Sequence, residues 1–297
     1  MSELLSEFLQ RANQVLQQIE PLLPKPTESV DWNKVYAASW QRKGNNSFFR
    51  PIQIGADIQL SDLLGVDRQR QQLLGNTQQF MRGFPANHAL LWGARGTGKS
   101  SLVRALLAEY AEQGLRLIEV ERNELADLPL IVESLAGLAQ HFIVFCDDLS
   151  FEAGEGDYRI LKSVLDGSLE RAPDNVLLYA TSNRRHLLPE QHSDNQNWQH
   201  GDGGELHPSE AVEDKIALSD RFGLWLSFYP FSQDHYLEVV QHWIAEYAKS
   251  AQLSWQFNDS DAKEAISWAQ ARGNRNGRCA AQFAKQWVGL QLLEQSL

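Results

Sequence analysis

The chain has 297 residues, 43% of them hydrophobic, which is enough to bury one large core or two moderate ones. Its two cysteines, Cys146 and Cys279, are far apart and in no C-x-x-C pairing, so neither a disulfide framework nor a zinc site is indicated and a reducing compartment is expected. The formal charge of -11 opposes a sequence-independent grip on nucleic acid and leaves only a local basic patch for that purpose, while the lack of a signal-peptide pattern or of about 18 consecutive apolar residues points to a cytoplasmic chain with no membrane contact.

Residues 3 to 23 carry Leu4, Leu5, Phe8, Leu9, Ala12, Val15, Leu16, Ile19, Leu22 and Leu23 at three- and four-residue spacings, one apolar face of a helix that Pro21, Pro24 and Pro26 close. That face either packs on its own domain or docks a partner. Residues 27 to 60 read as irregular chain whose Trp32, Trp40, Phe48 and Phe49 cover part of the core. From 61 to 231 strands alternate with helices, as a parallel sheet with helical layers requires. Strands are expected at 88–92, 115–120, 142–146, 176–180 and 224–228, and helices at 100–113, 130–139 and 159–171. Beyond Phe231 the pattern turns wholly helical, at 234–252, 259–272 and 278–294. The expected organisation is an N-terminal helical segment (1–60), an α/β core of parallel strands flanked by helices (61–231), and a small C-terminal α-helical domain (232–297).

Between Pro189 and Lys215 lie seven acids against one lysine, so this stretch alone supplies -6 of the net charge. A connection of that length inside a domain is usually functional or mobile. Its His192, His200 and His207 lack metal-ligand spacing and read as solvated loop residues.

Gly93-Ala94-Arg95-Gly96-Thr97-Gly98-Lys99-Ser100 fits G-x-x-x-x-G-K-[ST], and it follows an expected strand and opens an expected helix. Glycines let the backbone fold around a β-phosphate with its N–H groups inward, and the positive end of the new helix adds to that field. Lys99 would reach the β- and γ-phosphates, Ser100 would ligate Mg²⁺, and Ser101 follows in the same first turn. The ligand implied is Mg-ATP. The apolar run Phe142 to Cys146 ends in Asp147 and Asp148, two carboxylates at the C-terminal edge where open parallel sheets hold ligands. Asp147 is the expected metal residue, and Asp148 the expected base, with Glu152 as the alternative because Asp148 is one methylene shorter than glutamate. At the next strand end Asn183 either senses the γ-phosphate and its water or merely forms a turn. Cys146 reads as a small core residue.

These elements in this order resemble the AAA+ ATPases: Walker A at 93–100, Walker B at 144–148, a sensor-1-like Asn183, then Ser219-Asp220-Arg221-Phe222-Gly223, then a helical lid. The resemblance spans residues 60 to 295. It implies that the sensor-1 strand lies between the Walker A and Walker B strands, that Arg221 is the finger offered to the ATP of an adjacent subunit, and that Arg278, or Arg275 beside it, is the sensor-2 arginine of the lid. A homo-oligomer is implied with it. The chain also resembles the ATP-binding family called domain of unknown function 815, through His207-Pro208, Ala211-Val212-Glu213-Asp214-Lys215 and the stretch 218–226, and the paired acids are similar to those of replication initiators and helicase loaders. Arg184-Arg185-His186 is either a solvated face or a contact to a neighbour or nucleic acid. Three functions are compatible with these residues. One is an ATPase that remodels or loads a protein client, which the sequence does not identify; the second is a nucleotide-gated switch or loader with little turnover; the third is a small-molecule phosphotransferase. No pore-loop aromatic-glycine signature stands between 121 and 141, which disfavours an unfoldase.

Overall fold

In a computed structural model, the described residues are 11, 30–44, 46–53, 58–150, 157–166, 173–184, 199–200, 206–207 and 220–295. The apolar face at 3–23, Glu152, Arg185, His186 and most of the acidic stretch 189–215 therefore lie outside the described residues.

The strands are β1 (Ala37–Lys43), β2 (Asn46–Pro51), β3 (Ala89–Gly93), β4 (Leu115–Glu119), β5 (His141–Cys146), β6 (Val176–Ser182), β7 (Gln199–His200), β8 (Leu206–His207) and β9 (Leu224–Phe228). The helices are α1 (Asp67–Met81), α2 (Lys99–Tyr110), α3 (Leu128–Leu135), α4 (Asp157–Asp166), α5 (Gln233–Ser250), α6 (Asp259–Ala271) and α7 (Gly277–Gln295). Seven strands form one sheet in the order β2-β1-β4-β5-β6-β3-β9, parallel except for β2, and β7 with β8 makes a separate two-stranded ladder. The sensor-1 strand β6 lies between the Walker B strand β5 and the Walker A strand β3, the order implied by the resemblance.

Side chains alternate across each strand, so consecutive core residues serve opposite faces. On β5, Phe142 and Val144 join Trp32, Leu90, Ile118 and Leu178 on one face, while Ile143 and Phe145 join Leu73, Leu91, Leu102 and Tyr179 on the other. Every residue of β6 is buried, as a central strand covered on both sides requires. A third cluster, with Tyr236, Val240, Ile244, Phe283 and Trp287, forms the core of the α5–α7 domain. Caps fix where these helices begin. The Ser232 hydroxyl accepts from His235 N at the start of α5, and Asn258 and Asp261 form a reciprocal capping box on α6.

The reading of residues 27–60 as irregular cover is corrected. β1 and β2 extend the sheet beyond β4, with Ala37 to Ser39 paired to Leu117 to Glu119, so this segment is part of the core rather than a layer over it. The expected aromatic packing is present inside that arrangement, with Trp32 edge-on to Phe142 at 5.2 Å and Trp40 edge-on to Phe49 at 4.8 Å. Lys43 pairs with Asn46 across Gly44 and Asn45, a Gly-Asn hairpin signal, and Gly44 takes a φ of 64°. Among the described residues no helix is long and apolar enough to cross a membrane.

Candidate nucleotide site

Strand register assembles the centre of the site. Cys146 pairs with Ala180 and Leu91 with Thr181, so the residues just beyond the strand ends, Asp147 and Asp148 on β5 and Asn183 on β6, emerge beside Gly93 at one edge of the sheet. The loop after β3 depends on its glycines. A Cβ on Gly93 would lie 1.9 Å from the Phe228 carbonyl oxygen, and Gly96 and Gly98 hold φ values of 74° and 98°. Gly98 is the N-terminal cap of α2, so the first free N–H groups of that helix open at the loop. Ala94 N–H donates to the Phe228 carbonyl at 3.0 Å, and the Thr97 hydroxyl donates back to the Ala94 carbonyl at 2.8 Å, which ties the loop to β9 and to itself.

Lys99 is only 6% exposed, and its ammonium donates to the carbonyls of Gly93 at 2.8 Å and Ala94 at 2.7 Å and to Asn183 Oδ1 at 3.3 Å. Its pKa is lowered to about 8, chiefly by burial, with the nearby Arg95 and Arg278 also lowering it and Asp147 and Asp148 opposing them. The Ser100 hydroxyl donates to Asp147 Oδ1 at 2.6 Å, and the Thr181 hydroxyl donates to the same oxygen at 2.5 Å. Thr181 also accepts the Asp148 N–H at 2.9 Å, so one buried hydroxyl holds both acids. Asp148 has a φ of 52°, a left-handed backbone that turns the chain out of the strand and that aspartate tolerates better than most residues. Its carboxylate accepts from Asn183 Nδ2 and lies 3.8 Å from the Arg95 guanidinium.

Lys99, Ser100, Asp147, Asp148, Thr181 and Asn183 open into one cleft of about 660 Å³ between the sheet and the helical domain, a size that suits a small-molecule ligand. It is lined by Arg95 to Ser101 with Asp147, Asp148 and Asn183, and by the apolar residues Ile58, Leu63, Val66, Val239 and Trp243. The second group escaped the sequence reading. Val239 and Trp243 are four apart on α5, the spacing that would have placed them on one helix face, yet only the fold shows that this face meets residues 58–66. Thr181 was missed too, because a threonine at a strand end is unremarkable without its neighbours.

Arg278 lines the cleft at the start of α7, whereas Arg275 does not line it and offers its backbone carbonyl to Phe231 N at 3.1 Å. Arg221 is not brought to this site. It precedes β9 at the opposite edge of the sheet, where Gly223 packs on Asn87 and Leu224 N–H donates to the His88 carbonyl. Cys146 is fully buried, with its thiol pushed up to about 12, and behaves as the core residue expected.

Among the described residues no group of three or more His, Cys, Asp or Glu side chains could hold a metal ion. The Ser100 hydroxyl and Asp147 carboxylate are hard oxygen donors in contact, and this set suits Mg²⁺, which takes one or two protein oxygens and completes its shell with water and phosphate.

The profile of a family described as "Protein of unknown function (DUF815)" matches residues 33–291. No curated protein matches the sequence. Among solved structures, an alanine-to-serine mutant of Thermotoga maritima RuvB has a TM-score of 0.54 at 17% identity, over 80% of this chain and 66% of that one. A proline-to-glycine mutant of the same protein gives 0.53 at 16% identity, over 80% and 67%. Aeropyrum pernix Orc1 in complex with DNA gives 0.50 at 15% identity, over 75% and 61%. The chain thus spans about two thirds or less of the structures it resembles, and at these identities the likeness establishes the AAA+ fold alone.

Proposed function

The chain belongs to the DUF815 family, and from that premise we propose that it binds Mg-ATP and hydrolyses it, coupling the cycle to remodelling or loading of a protein partner. The observation that carries this reading is the convergence of Lys99, the Ser100–Asp147 pair and the Asn183–Asp148 pair on one cleft of nucleotide size. In the proposed reaction a water oxygen attacks the γ-phosphorus as the bond to the bridging β-γ oxygen breaks, giving ADP and phosphate. Asp148 accepts the water's proton, and Asn183 holds that carboxylate in place. The Lys99 ammonium leaves the loop carbonyls for the phosphate oxygens, with loop N–H groups from Gly93 to Ser101 around them. Ser100 and Asp147 would hold Mg²⁺, which would supply charge neutralisation to the phosphates. Arg278, which lines the cleft at the start of α7, acts on the same phosphates from the lid in this reading.

Arg221 lies at the wrong edge to serve its own chain, which supports its assignment as a finger for a second copy and hence a homo-oligomer. The experiment is phosphate release against protein concentration at saturating Mg-ATP, for the wild type and for Lys99→Ala, Asp148→Asn and Arg221→Ala. Specific activity should climb with concentration in the wild type and be lost in all three variants. Retained turnover in Arg221→Ala would remove the shared site. A second reading, a nucleotide switch that turns over little without its partner, draws on one observation: Asp148 already shares its carboxylate between Asn183 and the facing Arg95. ATP binding without phosphate release at any concentration would favour it. The phosphotransferase reading would be identified by a phosphorylated product other than free phosphate. The charge of -11 stands against a general DNA-binding role.

A further inference from the structure

We infer that Asn276 is a positioning residue through which the helical lid sets the orientation of the phosphate-binding amides. This rests on the reading of the cleft as an ATP site. Asn276 precedes α7, and its side-chain oxygen accepts Cys279 N–H at 2.8 Å while its backbone carbonyl accepts Ala280 N–H at 3.0 Å, so it caps that helix. The cap uses the amide's oxygen, which turns its nitrogen outward. Nδ2 donates to the Arg95 carbonyl at 2.9 Å, and two residues on, Arg278 N–H donates to the Gly96 carbonyl at 3.2 Å. The lid thereby grips two consecutive carbonyls at the tip of the phosphate loop. Gly96 is glycine partly for this contact, since a Cβ there would lie 2.8 Å from Asn276 Nδ2.

A trans peptide unit is planar, with its C=O and N–H pointing in opposite directions. Holding the carbonyls of Arg95 and Gly96 toward the lid therefore aims the N–H groups of Gly96 and Thr97 to the other side, into the loop's cradle. Donors fixed before the ligand arrives cost less ordering on binding. By linkage, a phosphate that orders those amides must strengthen the lid's grip by the same factor. One hydrogen bond sets the scale at about 3- to 10-fold.

Asn276→Ser tests this, because serine caps a helix about as well but is too short to reach the Arg95 carbonyl. Asn276→Asp is the second variant, keeping the cap and setting a carboxylate against that carbonyl. The lid has further ties to the core, including His242 to Asp62 at 3.2 Å, so both variants should fold. Hydrogen exchange of the full chain without nucleotide should speed up about 3- to 10-fold at Arg278 in both, with α5 and α6 unchanged. The Kd for Mg-ATPγS should weaken by a similar factor, and the protection that Mg-ATPγS confers on the start of α7 in the wild type should shrink. Exchange at Arg278 and nucleotide affinity both within twofold of the wild type would overturn the inference. Should the wild type fail to bind Mg-ATPγS, the ATP-site reading falls, and the exchange measured without nucleotide still decides whether the grip exists.

Discussion

Thr181→Val removes one oxygen and keeps the shape of the side chain, so its consequences report on a single hydroxyl. That hydroxyl donates to Asp147 Oδ1 at 2.5 Å and accepts Asp148 N–H at 2.9 Å, and the residue is 2% exposed. A hydrogen bond to a charged group contributes about 1.5–3 kcal/mol, and stranding a buried amide costs about 1–3 kcal/mol. Asp148 is more than half exposed, so water can replace part of the second loss. A net cost of about 2–4 kcal/mol follows once non-additivity between neighbours is allowed for. For a chain of this size that lowers the thermal midpoint by about 3–6 °C. The functional effect should be separable from it. Removing a partner of a metal-binding carboxylate typically costs about 10- to 100-fold in metal affinity or activity, so at 20 °C, where the variant remains folded, the Mg²⁺ concentration for half-maximal ATP hydrolysis should rise by that order. Thr181→Ser retains the hydroxyl and should lose only the methyl's packing. If Thr181→Val matches Thr181→Ser in both midpoint and Mg²⁺ requirement, the hydroxyl does not hold the acids and the reasoning fails.

Other consequences are open to direct measurement. With the Lys99 pKa lowered to about 8 by burial, the charged form that phosphate requires is fully present below that pH and is depleted above it, toward the ordinary lysine value of 10.5. The Kd for Mg-ATPγS should therefore be flat from pH 6.5 to 7.5 and weaken by up to about tenfold per unit above pH 8, while Lys99→Arg, always charged, should flatten the profile; a wild-type profile level to pH 9.5 would contradict the assignment. Trp243→Ala removes an aromatic wall from the cleft, and nucleotide affinity should drop about 10-fold with Trp243→Phe intermediate, an effect absent if the base does not lie against it. Gly93→Ala should abolish soluble folded protein or nucleotide binding outright, because its Cβ would overlap the Phe228 carbonyl; normal binding would mean the loop is not held to β9 as described.

What could be read from the sequence divides along contact distance. Gly93 to Ser100, Asp147 and Asp148 are contiguous runs whose residue types carry their own chemistry, and register then explains why they meet: the pairing of Cys146 with Ala180 and of Leu91 with Thr181 carries each run to the same edge. β1 and β2 were misread although Gly44-Asn45 signalled a hairpin, because β2 is an edge strand with no fully buried residue and no clear alternation. The apolar lining of the cleft joins Val66 to Val239 and Trp243 across more than 170 positions, and Asn276 reaches Arg95 across 181. No local pattern encodes such contacts. The helices themselves were foreseeable, but which of their faces meets the phosphate loop is decided by packing.

Arg221 shows how topology bears on the use of a motif. In sequence it follows Asn183 and precedes the lid, so it is easily counted with the groups that surround the γ-phosphate. In the sheet, β9 runs parallel to β3 with Leu224 beside Ala89 and Phe228 beside Gly93. Parallel strands share a direction, so the residue entering β9 lies at the edge where β3 begins, and the phosphate loop lies where β3 ends. Roughly 13 Å of strand separates Leu224 from Phe228, and Arg221 lies three residues further back. The same parallel pairing that assembles Lys99, Asp147 and Asn183 at one edge therefore carries Arg221 to the other. If Arg221 contributes to the proposed hydrolysis, it does so at the cleft of a second copy, and that contribution depends on assembly.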